Sequence, residues 1–222
     1  MNKYQQQIEI ELHFWKLEVM KKPSLMGNIA TKVQTKINSY IPQKVHKAIT
    51  VTIKQMVKAV LFGSEITSSD MPPAEMSLMH REALVKAKID SYCKTGATEG
   101  GITGAGGFLM SMADLPILIA IKLKLLYEIA ALYGFNTSDF RERLYILHIF
   151  QLAFSSQTSS QKTFAQMEKW NEKLFLLPEN GDGFDWQTFQ QEYRDYIDLA
   201  KLAQLLPSSW SRRGCSSQLS AH

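Results

Sequence analysis

GATEGGITGAGGFLMSMADLPILIAIKLKLLYEIAALY, residues 96–133, is the stretch on which the fold turns. It is the most apolar and most glycine-dense part of the chain, and Asp114-Leu115-Pro116 cuts it in two. Between Gly100 and Ile121 the only formal charge is Asp114, so the length alone would suit a membrane span. The energetics argue against it. Eight large apolar residues in that window contribute roughly −2.4 to −4.8 kcal/mol on an insertion scale, and one central Asp costs roughly +2.5 to 3.5 kcal/mol. Five glycines and a proline add nothing favourable. A kinked pair of helices fits better: one up to about Met112, then a break with Asp114 as N-cap and Pro116 in the first turn, where a missing N–H costs nothing. The apolar run of the first arm, Ile102 to Ala113, is then about 18 Å long, too short to cross a bilayer. The stretch reads as a buried helical hairpin.

Gly96, Gly100 and Gly104 recur every four residues, with Ala97, Gly101 and Ala105 beside them. On a helix this makes a groove without side chains, where a second backbone can approach closely. A phosphate-cradling loop is the rival reading and fails in detail. No Gly-Lys-Ser/Thr follows, the third glycine of a dinucleotide fingerprint is missing, and no strand pattern precedes it. These three glycines are therefore assigned to helix packing, and no cofactor is expected.

A chain of 222 residues is long enough for one sizeable core and short for two domains. Its 45% hydrophobic content lies well above that of disordered chains. Cys93 and Cys215 form no CxxC or ligand cluster, which suggests a reducing, cytoplasmic setting, with Cys93 as a small packed hydrophobe. The start, MNKYQQQIEIELHFW, lacks the charged, apolar and small-residue layout of a secretory signal.

The net charge of +4 is unevenly spread. From Val19 to Ser64 there is no Asp or Glu, yet there are eight lysines. Within this region Gln43 to Phe62 reads as a helix with Val45, Ile49, Ile53, Met56, Val57 and Val60 on one side. Lys47, Lys54 and Lys58 fall together on another face, with Lys44 one turn before them. Such a helix suits an anionic lipid surface or an acidic protein face, the plain alternative being a solvated face. Nucleic acid is not expected, because the region has no arginine and no aromatic stacking platform.

Taken in order, the remaining chain is helical. Helices are expected at Gln5–Lys21 (with Ile8, Leu12, Trp15 and Val19 inward), Asn28–Tyr40 and Ala74–Lys94, the last with Met76, Met79, Ala83, Ala87 and Ile89 on its dry side. Gly63 to Pro73 is a polar loop. Tyr133-Gly134-Phe135-Asn136 gives a left-handed glycine stop and a new start capped by Asn136 or Ser138. The helix Asp139–Ser155 is apolar nearly all round and therefore central, with Asp139 and Arg143 spaced for an i,i+4 pair. A loop from Ser155 to Gln161 leads to a helix through Trp170 to about Leu177, and a last helix from Asp185 to Leu206 follows. No period-2 run or internal repeat appears. The fold class is all-α, a single-domain helical bundle over residues 1–206 around the glycine-rich, proline-kinked hairpin.

TGAGGF (103–108), ADLP (113–116), YGFN (133–136), RER (141–143) and FQQEYRDYIDLAK (189–201) together resemble the EcsC family of bacterial proteins, as does the segment from Lys44 to Glu65. The family is named for a gene that accompanies an ABC transporter in Bacillus-type bacteria. The resemblance runs from about the first helix to Pro207. It implies no enzymatic activity; it implies a cytoplasmic helical protein, or one peripheral at the inner face of the cell membrane, linked to transport or secretion. The chain departs from the family at its end. PSSWSRRGCSSQLSAH (207–222) is serine-rich, basic and without helical periodicity, where the family continues with another small-residue apolar helix. This irregular tail reads as the product of a frameshift or premature stop, which inspection of the underlying DNA would test.

Two function classes follow. The favoured one is a non-catalytic protein that docks on an anionic membrane surface or a membrane transporter complex through Lys44, Lys47, Lys54 and Lys58. The alternative is a hydrolase-type enzyme with Asp114, Glu142 and Arg143 at a cleft and His148 as base. The alternative lacks a nucleophile, since neither Ser111 nor Ser155 has a GxSxG-like context. Glu142 and His148 are six apart, on different faces of one helix, so they make no metal pair. The Asn180–Asp185 turn lacks calcium-loop spacing. The plain readings are an N-cap for Asp114, a cap-and-ion-pair cluster for Arg141 to Arg143, and a packed core residue for His148.

Overall fold

The computed structural model describes residues 2–21, 43–62, 72–103 and 115–197. Eight helices lie among them: α1 (Lys3–Met20), α2 (Gln43–Phe62), α3 (Leu78–Thr103), α4 (Leu115–Tyr133), α5 (Phe140–Phe154), α6 (Gln157–Glu168), α7 (Trp170–Leu174) and α8 (Trp186–Tyr196). No strand occurs among the described residues, only an isolated antiparallel bridge between Ser155 and Ile197. The fold is all-α.

The core forms around α5, whose sequence is apolar on every side. Phe140, Leu144, Ile146, Leu147 and Phe150 are buried on it, and α2, α4 and α8 pack around it. From α2 come Ile53, Met56, Val57 and Val60; from α4 come Ile119, Leu123 and Tyr127; Trp170, Tyr193 and Ile197 close the cluster. Tyr127 Oη donates to Val60 O at 3.2 Å and Tyr193 Oη to Leu147 O at 2.8 Å, so both buried hydroxyls are satisfied.

Helices α3 and α4 form the antiparallel hairpin. Arg81 Nη1 donates to Leu132 O at 2.7 Å, while farther along Tyr92 Oη donates to Glu128 Oε1 at 2.8 Å and Lys88 pairs with Glu128 at 3.1 Å. Pro116 sits in the first turn of α4, as expected. The first arm differs from the sequence reading. No break separates an Ala74–Lys94 helix from the glycine-bearing arm; one helix runs from Leu78 to Thr103 through Gly96 and Gly100. A helical glycine costs only about 1 kcal/mol relative to Ala, too little to stop a helix. Its start is set by Ser77, whose Oγ accepts from His80 N at 3.4 Å. The expected dry side is corrected too: Met79, Ala83 and Ala87 are exposed, and the row facing α4 is Arg81, Val85, Lys88 and Tyr92. Its polar members meet acceptors on α4, which is why a purely apolar reading misplaces the face.

Other boundaries also moved. The helix expected from Asp185 stops at Tyr196, where Ile197 turns extended (φ −72°, ψ 126°), buries itself and bridges Ser155; residues 198–206 lie outside the described residues. The expected 155–161 loop is instead the first turn of α6, which begins at Gln157 with Ser156 as its cap, and the segment through Trp170 divides into α6 and α7 at Lys169. Helix α5 is capped by Asp139, whose side chain accepts from Arg141 N, while Asn136 instead closes a turn onto Ser138 N. Gly134 supplies the expected left-handed stop at φ +94°. On α1, Ile8, Trp15 and Val19 turn inward but Leu12 is 46% exposed. Asp114, Gly104, the Asn28–Tyr40 helix and the 207–222 tail lie outside the described residues.

No described helix is long and apolar enough to cross a membrane.

Candidate functional site

Helix α2 divides cleanly between core and surface. Ile53, Met56, Val57 and Val60 are buried at its back, whereas Lys47, Val51, Lys54, Gln55, Lys58 and Ala59 are exposed at its front. The helix is pinned from behind. Buried Gln190 on α8 donates Nε2–H to Lys54 O at 2.8 Å, and Tyr127 on α4 holds Val60 O. The lysine spacing of seven and four residues keeps Lys47, Lys54 and Lys58 in one row about 16 Å long. Three ion pairs occur among the described residues, Lys88–Glu128, Arg141–Asp139 and Arg194–Asp195, and none involves this row. The charges therefore face solvent and do not turn inward on acids of the described chain. Lys44 lies on the same helix, with its side chain outside the described set.

The carboxylate–arginine cluster sits at the N-terminus of α5. Asp139, Arg141 and Glu142 line an open cavity of about 540 Å³ together with Phe175, Pro178 and Glu179. Asp139 is held below the usual carboxylate range by its hydrogen bonds from Arg141, and burial pushes Glu142 up, reinforced by Asp139. Asp139 pairs with Arg141 at 3.0 Å, not with Arg143 as the i,i+4 spacing suggests. Arg143 sends Nε to Thr137 O at 3.0 Å and does not line this cavity. Glu142 and Arg143, expected at one cleft, thus serve different places, and Asp114 lies outside the described residues.

His148 is the packed core histidine that the sequence suggests, 7% exposed, but its surroundings are richer than packing. Its ring meets Trp170 and Phe189 edge to face at 5.5 and 5.8 Å. Its Nδ1 lies 3.2 Å from Gln151 Oε1, which also accepts from Thr163 Oγ1 at 3.3 Å. An amide oxygen can only accept, so Nδ1 carries the proton of a neutral ring. Burial drives its pKa down from 6.5 to about 4. His148 lines a second cavity, of about 190 Å³, separate from the carboxylate cluster. The sequence carried one sign of it: Gln151 stands one turn from His148 within the otherwise apolar run Leu144–Phe154 of α5. Gly96 and Gly100 lie on α3, with no neighbours described for them. No group of three metal-ligating side chains occurs among the described residues.

The EcsC protein family model matches residues 5–208. Protein EcsC of Bacillus subtilis (strain 168) is 42% identical over 193 residues, 87% of this chain and 79% of that protein. Uncharacterized protein YdbA of the same strain is 26% identical over 109 residues, 49% of this chain and 40% of its own length. No solved structure matches the chain. A family match over nearly the whole sequence, with a 42% identical relative covered over most of its length, establishes the kinship: this chain belongs to the EcsC protein family.

Proposed function

We propose that this protein acts without catalysis, as a peripheral docking protein whose lysine row on α2 seats it on the anionic inner face of the cell membrane, beside a membrane transporter complex. The observation that carries the reading is the row itself: Lys47, Lys54 and Lys58 stand exposed on a helix pinned from behind, with no described carboxylate paired to them. Juxtamembrane lysines contribute about 1 kcal/mol each at an anionic surface, and this attraction fades with salt. Val51 and Ala59, exposed among the lysines, add a modest apolar contact. The transporter association rests on family resemblance. A hydrolase reading gains nothing from the geometry, because Glu142 and Arg143 do not share a cavity.

Vesicle co-sedimentation tests the proposal. The chain should bind vesicles rich in phosphatidylglycerol, not pure phosphatidylcholine, and release in high salt. Changing Lys47, Lys54 and Lys58 together to Gln should weaken binding about a hundredfold, the equivalent of about 3 kcal/mol. Equal binding to neutral vesicles, or no loss in the triple variant, would refute it.

A further inference from the structure

The cavity beside His148 carries an inference independent of the lysine row. It is lined by α5, α6, α7 and α8, with Trp170, Phe184, Phe189 and Tyr193 as its aromatic wall and Gln151 and Gln166 beside them. It has a volume of about 190 Å³, is open to solvent at one end and has a mixed polar and aromatic lining, and so exceeds the volume of about 150 Å³ that accommodates a benzene. One six-membered ring with one or two further heavy atoms therefore fits. The polar group on the wall is fixed: His148 spends Nδ1–H on Gln151, so its Nε2 is a lone-pair acceptor. In this orientation Gln151 Oε1 also accepts from Thr163 Oγ1 at 3.3 Å. Lys173 and Glu192 also line the cavity, and Glu192 is exposed, which marks the solvent end. A packing gap between aromatic rings needs no oriented acceptor; a binding site uses a few polar groups to fix its ligand among apolar walls.

We infer that this cavity is a binding site for a small phenol-class ligand, its ring among Trp170, Phe189 and Tyr193 and its hydroxyl donating to His148 Nε2. The binding is non-covalent. The aromatic walls favour edge or offset contacts with the ligand ring. An acceptor on the cavity wall selects for a donor, because a ligand that covers Nε2 without a hydrogen bond leaves it unpaired.

p-Cresol and toluene, which differ by that hydroxyl, make the test on the full chain at neutral pH. Titration followed by nuclear magnetic resonance should show p-cresol saturating at least about tenfold more tightly than toluene, with shifts at Trp170 and at His148 Nε2. The His148→Leu variant should lose that preference while still accepting both rings. The Nε2 nitrogen shift in the unaltered protein, moved by p-cresol and not by toluene, decides the matter even if the variant does not fold. Equal affinity for the two ligands, no saturable binding of p-cresol, or an Nε2 shift that toluene reproduces would overturn the inference.

Discussion

Mild acidification should destabilise this protein chiefly through one residue. His148 is 7% exposed, and burial lowers its pKa from 6.5 to about 4, opposed in part by its hydrogen bond to Gln151. Between those two values the unfolded chain binds a proton that the folded chain refuses, so stability rises with pH across the window and falls as pH drops through it. At 1.36 kcal/mol per unit the whole shift corresponds to about 3 kcal/mol, of which about 2 kcal/mol is lost between pH 7 and pH 5. Glu142 acts in the opposite direction, because burial raises its pKa and protonation therefore favours the folded state. Asp139 and Asp185 are depressed below 3.8 and contribute their losses only at lower pH. Urea unfolding of the wild type and of His148→Gln at closely spaced pH values isolates the histidine, since the carboxylates are common to both. The wild-type free energy should fall by about 2 kcal/mol more than that of the variant from pH 7 to pH 5. Two parallel curves over that range would refute a buried neutral imidazole.

Two further changes probe the frame around the site. Gly181 has φ +80°, and a Cβ there would come 2.8 Å from Phe140 Cε2, so Gly181→Ala combines backbone strain with displacement of a core ring. It should cost about 2–4 kcal/mol in denaturant midpoints, against about 1 kcal/mol for Gly183→Ala, where φ is +78° but no atom lies within 4 Å. Arg81 donates to the carbonyls of Met76, Leu132, Pro73 and Ala74 at 2.7 to 3.1 Å. Arg81→Gln should lose about 1–3 kcal/mol and speed amide exchange in residues 72–77 ahead of the rest.

The features that sequence reading found are those fixed by local chemistry. An all-round apolar pattern made α5 central, the division of lysines from aliphatics oriented α2, and Gly134 stopped α4 with the only backbone conformation that suits it cheaply. The misses are non-local. The row of α3 that faces α4 is half polar, made compatible with burial by Glu128 and Leu132 O, groups some 35 to 50 residues away. Helix α8 stops at Tyr196, where Ile197 meets Ser155 across the bundle, a partner that helical periodicity cannot announce. His148 was legible as a core residue, but the cavity beside it is made by Trp170 and Phe189 arriving from other helices.

Helix α1 buries no residue fully and gives none to the central cluster. Its described tethers are the Tyr4–Glu82 hydrogen bond, the Trp15–Phe164 ring contact, and the amides of Gln157 and Gln161 donating to Lys21 O. Among the described residues, breaking those leaves the central cluster untouched, so this segment should open at a lower free energy than the whole chain unfolds. The amino-terminal eighteen-residue rod should thus behave as an outrigger, its amides exchanging ahead of those of the central helices.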